Sequence, residues 1–130
     1  MAPIPPPPRY HHGMILAAVD DLLFSSKIRT TAKQAGVNLV FARTPAEILE
    51  QSRTQKPNLV IFDLNSAKAE PIETIAAMKH DPELATVRTL GFVSHVHTGL
   101  IEAARAAGID EVMARSAFAG NLEQILTNHS

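Results

Sequence analysis

Five short apolar runs, each followed by a stretch with helical spacing, organise the chain. Met14-Ile-Leu-Ala-Ala-Val19 is continuously apolar and reads as the first strand. The segment after it carries Leu22, Leu23, Ile28 and Ala32, which predicts a helix turning these residues toward the sheet and stopping near Gly36, a natural C-cap. Val37 to Ala42 is the second strand. Thr44-Pro45-Ala46-Glu47 combines a capping box with proline at the first helical position, and starts a helix that carries Ile48 and Leu49 and ends before Pro57. Leu59-Val-Ile-Phe62 is apolar throughout, as expected of a central parallel strand covered on both faces. A third helix runs from about Pro71 through Ile72, Ile75, Ala76 and Met78. It breaks at His80-Asp81-Pro82, because proline disfavours helical backbone at the residue before it. Thr89 to Val93 is the fourth strand, a helix from about Leu100 to Ala107 stops at Gly108, Glu111 to Ala114 is the fifth strand, and Leu122, Ile125 and Leu126 mark a final helix.

Five strands alternating with five helices predict an α/β fold. The natural solution is a flavodoxin-like, doubly wound (βα)5 parallel sheet in the order 2-1-3-4-5, with right-handed crossovers. The domain covers residues 14–130. Residues 1–13 differ: Pro3 and Pro5 to Pro8 favour polyproline II, and Arg9-Tyr10-His11-His12-Gly13 has no apolar periodicity. This segment reads as a disordered leader or an appended remnant.

The strand ends carry the candidate chemistry. Asp20 and Asp21 follow the first strand, Asp63 the third, Ser94 the fourth and Arg115 the fifth. Ligands of an open parallel sheet bind beyond the carboxyl ends of its strands, so these groups should converge. Two carboxylates about 4 Å apart repel by roughly 4 kcal/mol at an effective dielectric near 20, and a divalent cation is the simplest compensation for three. Asp20 and Asp21 taken alone fit a helix N-cap equally well. Asp63 shifts the balance, since an acid ending a fully apolar strand is otherwise buried at appreciable cost. His95 and His97 could share one face, and His11 and His12 add two imidazoles, but no organised third ligand accompanies them and no metal role is assigned. Leu100, Ile101 and the alanines through Ala107 form a stripe that is mostly core, its outer part available to a partner.

Composition narrows the function classes. The formal net charge is −1 with both signs dispersed, which offers neither a nucleic-acid footprint nor a polybasic membrane patch. There is no cysteine, so disulfides and thiolate metal sites are excluded and a cytoplasmic location fits best. No apolar run approaches the roughly 20 residues that span a bilayer.

Val19-Asp20-Asp21, Val60-Ile-Phe-Asp63, Val93-Ser94 and Ala106-Ala-Gly-Ile-Asp-Glu-Val-Met-Ala-Arg115, in that order, resemble the receiver domains of bacterial two-component response regulators. The resemblance runs from Met14 to Asn128. It implies a stand-alone, non-enzymatic signalling domain in which Asp63 is the phosphoacceptor. Asp20, Asp21, Asp63 and the backbone carbonyl of Asn65 would hold Mg2+, Ser94 would bind a phosphoryl oxygen, and Arg115 would supply positive charge. The implied partners are a histidine kinase or phosphotransfer protein and an unknown output protein, and a homodimer is compatible with the pattern.

Three departures lie in one segment: Arg115 stands where the family has lysine, Ser116 where it has proline, and Val112 where it has the switch aromatic. The loop Leu64-Asn65-Ser66-Ala67-Lys68 also lacks the family's Met-Pro pair. These changes motivate the alternative of a phosphorylation-independent pseudo-receiver that acts as a protein-binding module. A hydrolase similar to haloacid-dehalogenase-like phosphatases is disfavoured, because Asp63-Leu64-Asn65 lacks the second acid such enzymes place two residues later.

Overall fold

The computed structural model describes residues 13–94 and 98–129. The elements follow as β1 (Met14–Ala18), α1 (Leu22–Ala35), β2 (Asn38–Phe41), α2 (Pro45–Gln55), β3 (Leu59–Asp63), α3 (Pro71–His80), β4 (Arg88–Val93), α4 (Thr98–Ala107), β5 (Glu111–Ala114), α5 (Arg115–Gly120) and α6 (Leu122–Asn128). The strands pair in parallel as one sheet in the order β2-β1-β3-β4-β5, as the alternation of elements predicted. β3 lies at its centre, buried at every residue from Leu59 to Asp63. The readings of the proline-rich segment, of His11 and His12, and of His95 and His97 fall outside the described residues.

Alternating side chains on each strand feed two cores. On one face Ile15, Ala17, Leu59, Ile61, Leu90 and Phe92 pack with Phe24 and Ile28 of α1, Phe118 of α5, and Leu122 and Leu126 of α6. On the other, Leu16, Val60 and Phe62 pack with Ile48 of α2, Ile75 and Met78 of α3, and Ala104 of α4. Helices covering both faces are what a continuously apolar central strand requires. The first core holds an aromatic trio: the Phe92 and Phe118 rings stack at 4.7 Å, and Phe24 meets Phe92 edge-on at 5.0 Å.

The helix signals read from the sequence hold at α2, where the Thr44 hydroxyl accepts the Glu47 N–H at 3.3 Å and Pro45 opens the helix. They hold again at the end of α1, where Gly36 takes φ +70°. Leu22 and Leu23 do not face the sheet. They are 75% and 86% exposed, because Phe24, Ile28 and Ala32, spaced by four residues, set the buried face of α1. The last helix is two helices rather than one. The chain turns at Asn121, whose N–H bonds back to Ala117 and Phe118, and the Gly120-Asn121 pair has low helix propensity. α4 starts at Thr98, two residues before the expected Leu100. Among the described residues no helix is long and apolar enough to cross a membrane.

At the other end of the sheet from the strand-end acids, Asp110 ties the start of β4 to the approach to β5. Its Oδ2 accepts the Thr89 N–H at 2.8 Å, the Thr89 hydroxyl at 3.0 Å and the Lys79 ammonium at 3.2 Å. Burial alone would raise its carboxyl, and these donors more than offset it, holding Asp110 below the usual carboxylate range.

Gly91 of β4 is a position of close approach. A Cβ there would come within 2.8 Å of Ile109 Cδ1 and 2.9 Å of Leu64 Cγ, and Leu64 directly follows Asp63. Gly91→Ala is therefore expected to cost about 1–3 kcal/mol through overpacking, measured by denaturant unfolding, and to shift the amide resonances of Leu64 and Asn65.

Candidate functional site

The parallel sheet brings Asp20, Asp21, Asp63, Ser94 and Arg115 to one edge, beyond the ends of β1, β3, β4 and β5. Asp63 closes β3 and is 7% exposed. Its Oδ1 accepts the Asn65 N–H at 2.9 Å, a turn bond that fixes the carboxylate against its own loop. Burial pushes the Asp63 carboxyl above its ordinary range, and the negative charges of Asp20 and Asp21 push the same way. The Asn65 N–H and the positive charge of Arg115 oppose this without cancelling it. Among the described residues no cation pairs with Asp63 directly.

Asp21 is committed elsewhere. It is the N-cap of α1, its Oδ1 accepting the Phe24 N–H at 3.0 Å, and its Oδ2 accepts Arg115 Nη2 at 3.2 Å. The Phe24 N–H, aided by the Arg115 guanidinium, holds its carboxyl below the usual range. The cap anticipated for this residue is thus present, and the same side chain pairs with Arg115. Arg115 also donates to Ser94 Oγ through Nη1 at 3.4 Å and lies over the Phe24 ring, 4.4 Å from its centroid. The guanidinium is clasped by an acid, a hydroxyl and a ring, and it reaches Asp63 only through its field.

Two contacts were not anticipated from the sequence. The Asn65 side chain accepts the Ser94 N–H at 2.9 Å and joins the loop after β3 to the loop after β4, whereas only its backbone carbonyl had been given a role. Phe24 supplies the platform under Arg115. The sequence reading had put Leu22 and Leu23, not Phe24, on the buried face of this helix, and a contact across 91 positions of chain leaves no local signal.

The three acids were expected to surround one cation. Among the described residues no group of three His, Asp or Glu side chains is arranged to hold a metal ion. Asp21 is engaged with its cap and with Arg115. The remaining donors still suit magnesium: Asp20, Asp63 and the Asn65 carbonyl are hard oxygens, and this ion is commonly held by one or two carboxylates while it keeps several waters. The raised carboxyl of Asp63, beside two further acids, is a site where added positive charge is favourable.

No protein-family profile matches the chain, and no curated protein matches it. Solved structures do. A response regulator from Hahella chejuensis superposes with a TM-score of 0.78 at 20% identity, over 88% of this chain and 92% of its own. The chemotaxis response regulator CheY4 of Vibrio cholerae gives 0.76 at 16% identity, over 91% and 98%. The receiver domain of a sensor histidine kinase from Pseudomonas aeruginosa, solved with a magnesium ion in its active-site cleft, gives 0.77 at 14% identity, over 90% and 96%. The chain has the receiver-domain, CheY-like form of the flavodoxin fold.

The two acids have opposite consequences for stability. The folded-state pKa of Asp63 is raised, so the native state binds more protons than the unfolded chain between the ordinary and the raised value, and stability falls as pH rises through that window. Asp63→Asn is expected to raise the unfolding midpoint at pH 7, with the gain vanishing below about pH 4. The folded-state pKa of Asp21 is depressed, so its contribution is present above the ordinary value and lost in acid. Asp21→Ala is expected to cost about 1 kcal/mol at pH 7 through loss of the cap, and less at low pH, both read by denaturant unfolding across pH.

Proposed function

We propose that the chain is a cytoplasmic receiver that accepts a phosphoryl group on Asp63 from a histidine kinase or phosphotransfer protein and relays the change to another protein. The carrying observation is the Asp63 carboxylate: buried, oriented by the Asn65 N–H, without a paired cation among the described residues, and at the edge where the other polar strand-end groups meet. Oδ1 is held by Asn65, so Oδ2 is the atom that attacks phosphorus. The donor's bond to phosphorus breaks with its electron pair leaving on the donor, and an acyl phosphate forms. Ser94, whose backbone is fixed by Asn65, donates its hydroxyl to a phosphoryl oxygen, and the Arg115 guanidinium offsets the added charge. Asp20, Asp63 and the Asn65 carbonyl would hold magnesium, which would supply charge neutralisation at the phosphoryl group. Asp21 would join that set only on giving up its bond to Arg115.

The Arg115–Asp21 pair also favours a second reading. It ties the cation and one acid of the site to each other, and with Ser116 and Val112 nearby it fits a pseudo-receiver that binds a partner whether or not it is phosphorylated. The arginine fork differs from a lysine ammonium in reach and in its capacity to hold two partners at once.

Incubation with acetyl phosphate and Mg2+, followed by intact-mass spectrometry, separates the readings. One phosphoryl adduct per chain is expected, absent from Asp63→Asn and absent when the metal is chelated. No adduct in the wild type would leave the pseudo-receiver. Arg115→Lys, which releases the clasp on Asp21, is expected to speed phosphorylation or lengthen the life of the acyl phosphate. Unchanged rates in both directions would mean that the clasp does not limit the chemistry.

A further inference from the structure

Beside the acidic edge, a cavity of about 690 Å³ opens between α4, β5 and α5. Its walls include Val93, Ile101, Val112 and Met113, and its charged groups are Arg105 and Arg115. Among the described residues no carboxylate lines it. We infer that this cavity binds a small organic anion, an apolar body carrying one acidic group that pairs with Arg105.

Size and composition support a molecular ligand. Sites for small molecules run from roughly 300 to 1,000 Å³, mostly apolar with a few convergent polar groups, and this cavity has that make-up. The space exists because the side chains at Val112, Ala114 and Ala119 are short where they border it. Charge complementarity selects an anion. Arg115 is already shared between Asp21 and Ser94, whereas the guanidinium of Arg105, in the last turn of α4, has no hydrogen bond or ion pair among the described residues. A cation without a partner at the rim of an apolar cavity has more to gain from an anionic ligand than from a neutral one, since water is displaced around the pair. Arg115 belongs to both the cavity and the acidic edge, so an occupant would bear on the clasp with Asp21.

The test uses 8-anilinonaphthalene-1-sulfonate as an anionic probe and N-phenyl-1-naphthylamine as its neutral counterpart, both with the full chain and without phosphodonor. Saturable fluorescence enhancement by one sulfonate probe per chain is expected. Arg105→Gln is expected to weaken it by about tenfold or more while leaving the neutral probe unchanged, because hydrogen bonds to charged groups are worth at least that factor. Val112→Phe fills the space and is expected to reduce binding of both probes. Amide chemical shifts of the wild type, which need no variant, are expected to move at Val93, Ile101 and Val112 to Ser116. Equal binding to wild type and Arg105→Gln, or shifts confined to another surface, would overturn the proposal. So would the absence of saturable binding, and sedimentation of the chain as a dimer at the same concentrations would then assign this face to a second copy. None of these readouts involves phosphorylation of Asp63, so their failure leaves the phosphotransfer reading intact.

Discussion

The direction of the strands is the constraint on which everything else rests. In a parallel sheet every carboxyl end points the same way, and here β1, β3, β4 and β5 each deliver a polar group to that shared edge. Hydrogen bonding between strands consumes the backbone, and helices cover both faces, so the edge is the place where polar side chains from distant parts of the chain can meet without disrupting a core. Asp63 is at once the last residue of a fully buried strand and the acid at the centre of the site, and its raised carboxyl follows directly from that dual position.

Electrostatic balance at the edge is uneven. The single guanidinium serves Asp21, Ser94 and the Phe24 ring together, while the buried acid receives only its field. Asp21 can take this charge cheaply because it already caps α1, and a carboxylate at a helix N-terminus is favoured before any partner arrives. Asp63 is left as the destabilised member of the group. A carboxyl perturbed by burial and by neighbouring charge at a shared polar edge is a candidate for a functional role, and this supports the phosphoacceptor role proposed for it.

The same guanidinium joins the acidic edge to the neighbouring cavity. Arg115 lines both, and Phe24 beneath it belongs to the aromatic trio that unites α1, β4 and α5. Any occupant of either space therefore acts on a side chain anchored in the hydrophobic core, which gives a local contact a route to the packing of two helices.

The sequence by itself determined the topology and the positions of the strand-end groups. Continuous apolar runs such as Leu59 to Phe62 require cover on both faces, and the capping box at Thr44 and the glycine at 36 punctuate helices through local backbone chemistry alone. Where a stretch offered competing apolar phases, local pattern was insufficient. Leu22 and Leu23 stand exposed because Phe24 docks against Phe92 and Phe118, partners 68 and 94 residues away in the chain, and that docking sets the rotation of α1. The break at Asn121 follows from weak local propensity combined with the separate burial of Phe118 and Leu122. Only the tertiary structure decided which acid takes the arginine, that Asn65 ties two loops together through its side chain, and that an apolar cavity opens beside Val112. Each depends on distances between residues far apart in sequence, and side-chain spacing along a strand or helix carries no record of them.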